Sequence, residues 1–214
     1  MRNAEINRTT AETSIALSLN LDGTGEAQIE TTVGFLKHML TLFAAHGRVD
    51  LVLSCEGDSW VDDHHAVEDM GIALGQALKA ALGDRRGIRR YGNMILPMDE
   101  ALVLCALDLS GRSCLRYGLQ IPTEKVGTFD TELAEEFFLA LCREAGITLH
   151  LRQLDGTNSH HIIEAAFKAF ARALRQAVSI DPEAPDQIPS TKGSLGEEWL
   201  PGVREDRLDQ ELIY

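Results

Sequence analysis

Two short stretches carry residue types suited to metal chemistry. They are Asp62-Asp63-His64-His65-Ala66-Val67-Glu68-Asp69 and, in the second half of the chain, Asn158-Ser159-His160-His161-Ile162-Ile163-Glu164. Both contain His-His-x-x-Glu. On a helix the first histidine and the glutamate are four residues apart and the second histidine and the glutamate three apart, so each pair shares a face and reaches one cation. Adjacent histidines project about 100° apart, which suits two ions better than chelation of one. A single His-x-x-Glu matches by chance and then marks an ordinary core or surface residue; the repetition favours ligation. The 7 histidines cluster at His38, His46, His64–His65, His150 and His160–His161, where generic use would scatter them.

Anion binding is the second chemistry on offer. The stretch Gly83-Asp84-Arg85-Arg86-Gly87-Ile88-Arg89-Arg90-Tyr91-Gly92 is strongly basic within an acidic chain, and reads either as a connector or as an anion site. Lys168 lies one helical turn beyond Glu164, in position to hold a substrate anion beside metals, although helical lysines are commonly just solvated. Ser190-Thr191-Lys192-Gly193 suits a phosphate, as such loops do, but is weak evidence alone. Glu12, where the chain enters its first predicted strand, reads as a solvated charge.

Composition limits the function classes. With 214 residues and 44% apolar content the chain buries a substantial core. A net charge of -13 repels a phosphate backbone, which argues against nonspecific nucleic-acid binding and requires any anionic substrate to meet a local basic cluster. No apolar run approaches the roughly 18 residues of a membrane span. The polar start Met1-Arg2-Asn3-Ala4-Glu5 lacks the apolar core of a secretory signal, so the expected compartment is the cytoplasm. Cys55, Cys105, Cys114 and Cys142 have no C-x-x-C spacing and read as reduced, small apolar residues without a catalytic role.

Periodicity places these residues on elements. Alternation over Ile15–Leu21 and Ala27–Thr31, with Asp22-Gly23-Thr24-Gly25 between, predicts two strands joined as a hairpin. Helical spacing of Phe35, Met39, Leu42 and Phe43 predicts a helix from Val33 to Ala45 that puts His38 and His46 near one face. Val49–Cys55 is a strand, and the first His-His-x-x-Glu opens a helix running towards Leu82. The plan returns as strands Ala101–Leu109 and Leu115–Ile121, a helix over Thr131–Ala145, a strand Ile147–Leu151 and the second ligand helix to about Val178. In the third of these, Leu133, Phe137, Phe138 and Leu141 read as core. The expected fold is α/β, two duplicated β-β-α-β-α halves (residues 1–93 and 94–180), each a mixed sheet packed on helices. Residues 181–214 add a phosphate-loop segment and an acidic tail containing Trp199, expected to be poorly ordered at its extremity.

In this order these stretches resemble imidazoleglycerol-phosphate dehydratase, from about Arg8 to Leu195. The resemblance rests on Arg8-Thr9-Thr10-Ala11-Glu12-Thr13, Leu21-Asp22-Gly23-Thr24-Gly25, both His-His-x-x-Glu stretches, Arg90-Tyr91-Gly92, Pro97-Met98-Asp99-Glu100, Asp108-Leu109-Ser110-Gly111-Arg112 and Pro189-Ser190-Thr191-Lys192-Gly193. It implies a duplicated subunit, two manganese ions per site, and a homo-oligomer of about 24 subunits built from trimers, with active sites between subunits. One ion would take His38, His65, Glu68 and His161, the other His64, His150, His160 and Glu164. Such nitrogen-rich sets also suit zinc, nickel or iron, so manganese rests on the resemblance.

The implied reaction is the dehydration of D-erythro-imidazole glycerol phosphate to imidazole acetol phosphate in histidine biosynthesis. The departing hydrogen has no adjacent carbonyl, so two metals on the ring nitrogens would stabilise an imidazolate able to expel the hydroxyl. The resemblance makes Glu12 the acid/base and Arg90, Arg112, Lys168, Ser190, Thr191 and Lys192 the phosphate clamp, with His46 and Asp99 as substrate contacts. One departure stands out. Lys37 replaces the acid that usually precedes the ligand at His38, and matters only if that acid supports the ligand. The competing readings are a two-metal phosphoesterase, disfavoured by a set of six histidines and two glutamates, and a metal-storage assembly, which leaves the basic residues without purpose.

Overall fold

A computed structural model describes residues 2–195; the acidic tail, including Trp199, lies outside the described residues. The first half runs β1 (Asn3–Thr9), β2 (Thr13–Asn20), β3 (Ala27–Glu30), α1 (Gly34–Gly47), β4 (Asp50–Gly57) and α2 (His64–Leu82). The second repeats it with β5 (Tyr91–Met98), β6 (Ala101–Asp108), β7 (Cys114–Gly118), a small β8 (Lys125–Val126) and β9 (Phe129–Asp130) pair, α3 (Leu133–Ala145), β10 (Thr148–Asp155) and α4 (Ser159–Val178). The α/β class and the duplication stand, and each half has one more leading strand than the periodicity predicts.

The main sheets have matching orders, β1-β2-β4-β3 and β5-β6-β10-β7. The predicted hairpin between the second and third strands is a correction. β3 pairs in parallel with β4, and β7 with β10. The chain leaves β3, passes through α1 and returns beside it as β4, which is the crossover that parallel neighbours require. Alternation predicts that a segment is a strand but not which strand it joins.

Each sheet buries one face, as the alternating burial of β2 and β6 shows. On that face lie the helices, which also pack on each other across the halves, α2 on α3 and α1 on α4. Phe43 of α1 stacks on Phe170 of α4 at 5.7 Å, and Phe138 of α3 meets Phe167 at 4.7 Å and Phe170 at 5.5 Å. These rings are fully buried, so burial of their large apolar area ties the halves into one core. Close approach needs small residues. A Cβ on Gly71 of α2 would lie 2.7 Å from the Phe137 carbonyl oxygen, and one on Gly92 of β5 only 1.9 Å from the Ala173 carbonyl oxygen of α4.

The loop into β3 is held by one carboxylate. Asp50 Oδ1 accepts the N–H groups of Thr24, Gly25 and Glu26 at 2.8, 3.0 and 3.1 Å. The Thr24 amide, with those of Glu26 and Gly25, holds the Asp50 carboxyl below its ordinary 3.8. A depressed carboxylate pKa contributes stability above the unfolded value, and that contribution disappears as pH falls through the lower folded value. Asp50→Ala is therefore expected to cost about 1–2 kcal/mol at neutral pH. In thermal melts its deficit against the parent should shrink once the pH drops below 3.8; a gap independent of pH would contradict this account.

All 4 cysteines are free, and burial pushes the Cys55 thiol up to about 11 and the Cys142 thiol to about 12, consistent with apolar filling. Among the described residues no helix is long and apolar enough to cross a membrane.

Candidate active site

Three of the sequence-predicted ligands converge. α1 presents His38, and the first turns of α4 present His160 and Glu164. His160 Nε2 lies 3.0 Å and His38 Nε2 3.5 Å from the same oxygen, Glu164 Oε2. The ligand atoms of the three residues all fall within 4.8 Å of one another, the one such group among the described residues. Two imidazoles and a carboxylate fit a borderline divalent cation. The buried Glu164 places its other oxygen 2.5 Å from Lys168 Nζ. Burial pushes its carboxyl up, but the Lys168 ammonium, with His160 and His38, outweighs this and holds it below the ordinary value. Phe35 meets the His160 ring edge-on at 5.1 Å and gives the cluster an apolar wall.

The second histidine of each motif points elsewhere. The His160 and His161 ring centroids are 6.2 Å apart at 75°, the divergence expected for helical neighbours. His161 Nδ1 lies 2.7 Å from Glu100 Oε2, and its Nε2 3.7 Å from Asp99 Oδ2. His65 Nδ1 sits 3.1 Å from both oxygens of Asp58, and its Nε2 3.7 Å from Glu12 Oε1. Asp58 foremost raises the His65 pKa and Glu100 that of His161.

The remaining ligand candidates stand apart within the chain. Glu68 is 3.4 Å from Arg143, and His64 has its ring 6.3 Å from that of His65. His150 is exposed on β10. Within the chain His38 gathers with His160 and Glu164, whereas the resemblance groups it with His65, Glu68 and His161. His46, in the last turn of α1, has its pKa lowered by burial and by the nearby charges of Lys168 and Arg172.

A cavity of about 1060 Å³ gathers the anion-binding candidates. Arg90, Arg112, Ser190, Thr191 and Lys192 line it, joined by Lys79, Arg85 and Arg143, against the acids Asp84 and Glu144. A local excess of cations in an otherwise negative protein focuses a field that attracts anions. Arg90 has a structural duty there: Nε and Nη2 grip Asp108 at 2.7 and 3.1 Å, and Nη1 donates to the Pro189 carbonyl at 2.9 Å. Arg85 Nη1 donates to the Leu195 carbonyl and Arg86 Nη1 to that of Asp186, so the 186–195 loop is gripped through its main chain. Lys168 does not line this cavity; its partner is Glu164.

Comparison with known proteins shows which family shares this sequence and fold. A family model of imidazoleglycerol-phosphate dehydratase matches residues 31–174. A relative of that description from Ruegeria pomeroyi is 63% identical over 195 residues, covering 91% of this chain and 100% of its own. Another from Synechococcus sp. (strain WH7803) is 60% identical, covering 91% and 96%. The chain belongs to the imidazoleglycerol-phosphate dehydratase family. The crystal structure of imidazoleglycerol-phosphate dehydratase from Staphylococcus aureus superposes with a TM-score of 0.77 at 44% identity, covering 84% of this chain and 99% of that one. Lys37, beside His38, is exposed, and its side chain makes no hydrogen bond or ion pair with the described residues.

Two site neighbours escaped the sequence reading. Asp58 belongs to none of the stretches singled out in the sequence, and Glu100 only to Pro97-Met98-Asp99-Glu100. Neither has a helical spacing to its histidine, so nothing short of the fold reveals the partnership.

Proposed function

We propose that this chain is a hydro-lyase converting D-erythro-imidazole glycerol phosphate into imidazole acetol phosphate and water in histidine biosynthesis. The observation that carries the reading is that a member of this family pairs a histidine–glutamate cluster, suited to a cation and an imidazole, with a cationic cavity suited to a phosphate. His38, His160 and Glu164 would hold one divalent ion, and the second motif's counterparts His64 and Glu68 part of another. When bound, such ions supply Lewis-acid polarisation of the substrate.

The chain's own residues supply the rest. Glu12 is fixed by its N–H donating to Thr10 Oγ1 at 3.2 Å and by its carbonyl accepting from the Asp58 N–H at 3.1 Å. Its exposed carboxylate lies beside His65 and would take the proton from carbon and return one to the departing hydroxyl, which would leave as water. Arg112, Lys192, Ser190 and Thr191 would bind the phosphate, and Phe35 would shield the ring from water. Glu12→Gln is expected to keep metal and substrate binding while turning over at least about 100-fold more slowly. Steady-state rates at saturating substrate test it, and unchanged turnover would remove Glu12 from the chemistry.

Because His64, His65, Glu68, His150 and His161 stand apart from the trio, we infer that neighbouring copies complete each ligand set. This supports a homo-oligomer built from trimers, of about 24 subunits by resemblance, with manganese as the expected metal. The decisive assay is turnover of imidazole glycerol phosphate by chelator-stripped protein with and without added Mn2+. Activity should require the metal, and a metal-independent rate would sink the proposal. Light scattering during chelation should show smaller species, restored by Mn2+, since a ligand stabilises the state that holds its site intact.

A further inference from the structure

The second histidine of each motif has a carboxylate on its Nδ1, and the two carboxylates come from unrelated places in the fold. Asp58 follows β4 and precedes α2, whereas Glu100 lies in the turn between β5 and β6. A neutral imidazole has one N–H and one lone pair, and a carboxylate at Nδ1 fixes the hydrogen there and leaves the Nε2 lone pair available. Asp58 does this with both oxygens at 3.1 Å and Glu100 with one at 2.7 Å.

Each carboxylate is itself anchored. The Asp58 side chain is only 11% exposed, and its backbone N–H is tied to the Glu12 carbonyl. Glu100 Oε1 accepts the N–H groups of Asn158 and Thr157 at 2.8 and 3.2 Å, where α4 begins. Such anchoring keeps the acids on the histidines and away from a cation. The first histidines are treated differently, since His160 Nε2 faces Glu164 directly. The duplicated ligand motif is thus completed twice by acids that the duplication did not supply.

We propose that Asp58 and Glu100 are positioning residues that set the tautomer and ring orientation of His65 and His161, so that each offers Nε2 to a divalent cation. This rests on the reading of those histidines as ligands. The test is Mn2+ titration of chelator-stripped Asp58→Asn and Glu100→Gln proteins, beside His65→Ala and His161→Ala, with melting of each metal-free protein in parallel.

The expected result is about 10–100-fold weaker Mn2+ binding in both carboxylate variants, with metal-free melting temperatures close to the parent. Weak binding in the histidine variants but parental binding in the carboxylate variants would overturn the positioning role alone. Parental binding in the histidine variants would overturn the ligand reading and this inference with it. A loss of affinity that merely tracks a loss of metal-free stability would also overturn it. Should Asp58→Asn fail to fold, Glu100→Gln, in an exposed turn, decides the matter.

Discussion

Glu164→Gln is expected to cut divalent-metal affinity and turnover by more than about 100-fold, because removing partners that only support a ligand already costs 10–100-fold. Glu164 is the oxygen donor that both His38 and His160 face, so its loss dissolves the cluster. It also strands the Lys168 ammonium, whose side chain is 16% exposed and which has Glu164 as its ion-pair partner. Leaving one member of a mostly buried pair alone costs up to about 3 kcal/mol here, below the figure for full burial. The two effects separate in a double variant. Glu164→Gln with Lys168→Met should recover stability in denaturant unfolding without recovering Mn2+ binding. Recovery of metal binding by that double variant would show that Glu164 is a salt-bridge residue and not a ligand.

Gly92→Ala is expected to be the most damaging single-methyl change in the fold. The added Cβ would fall 1.9 Å from the Ala173 carbonyl oxygen and 2.7 Å from its carbon, which are backbone atoms of a central helix. Relief requires β5 and α4 to separate. Overpacking commonly costs 1–3 kcal/mol, and this contact with rigid backbone places the variant at or above about 3 kcal/mol, a large part of the 5–15 kcal/mol that holds a domain folded. The denaturation midpoint measures it, and a midpoint equal to the parent would mean that β5 is not seated on α4 as described. Since α4 carries His160 and Glu164 while the β5–β6 turn carries Glu100, a folded remainder should also bind Mn2+ less tightly.

Much of this was legible in the sequence where one residue's pattern repeats along one element. The four helices and the central strands follow from periodicity, and the ligands of α4 follow from their i, i+4 spacing. β1 and β5 were not legible because both are edge strands with only half-buried faces. β5 moreover contains Gly92 and Pro97, which argue against a strand unless it lies at an edge, where Pro97 is tolerated. Arg90, Arg112 and Lys192 line one cavity, whereas Lys168, which the resemblance groups with them, lies against Glu164 within the chain. The pairing of Lys168 with Glu164 follows their i, i+4 spacing on α4, whereas no spacing along the chain brings Arg90, Arg112 and Lys192 to one cavity.

The loop at 186–195 is gripped by three arginines at carbonyl oxygens, those of Asp186, Pro189 and Leu195. A carbonyl is present whatever residue bears it. The Thr191 and Lys192 side chains are exposed, and neither makes a hydrogen bond or ion pair with the described residues. The anchorage of the segment therefore does not depend on which side chains stand at positions 191 and 192, and would pass unchanged from one variant to the next.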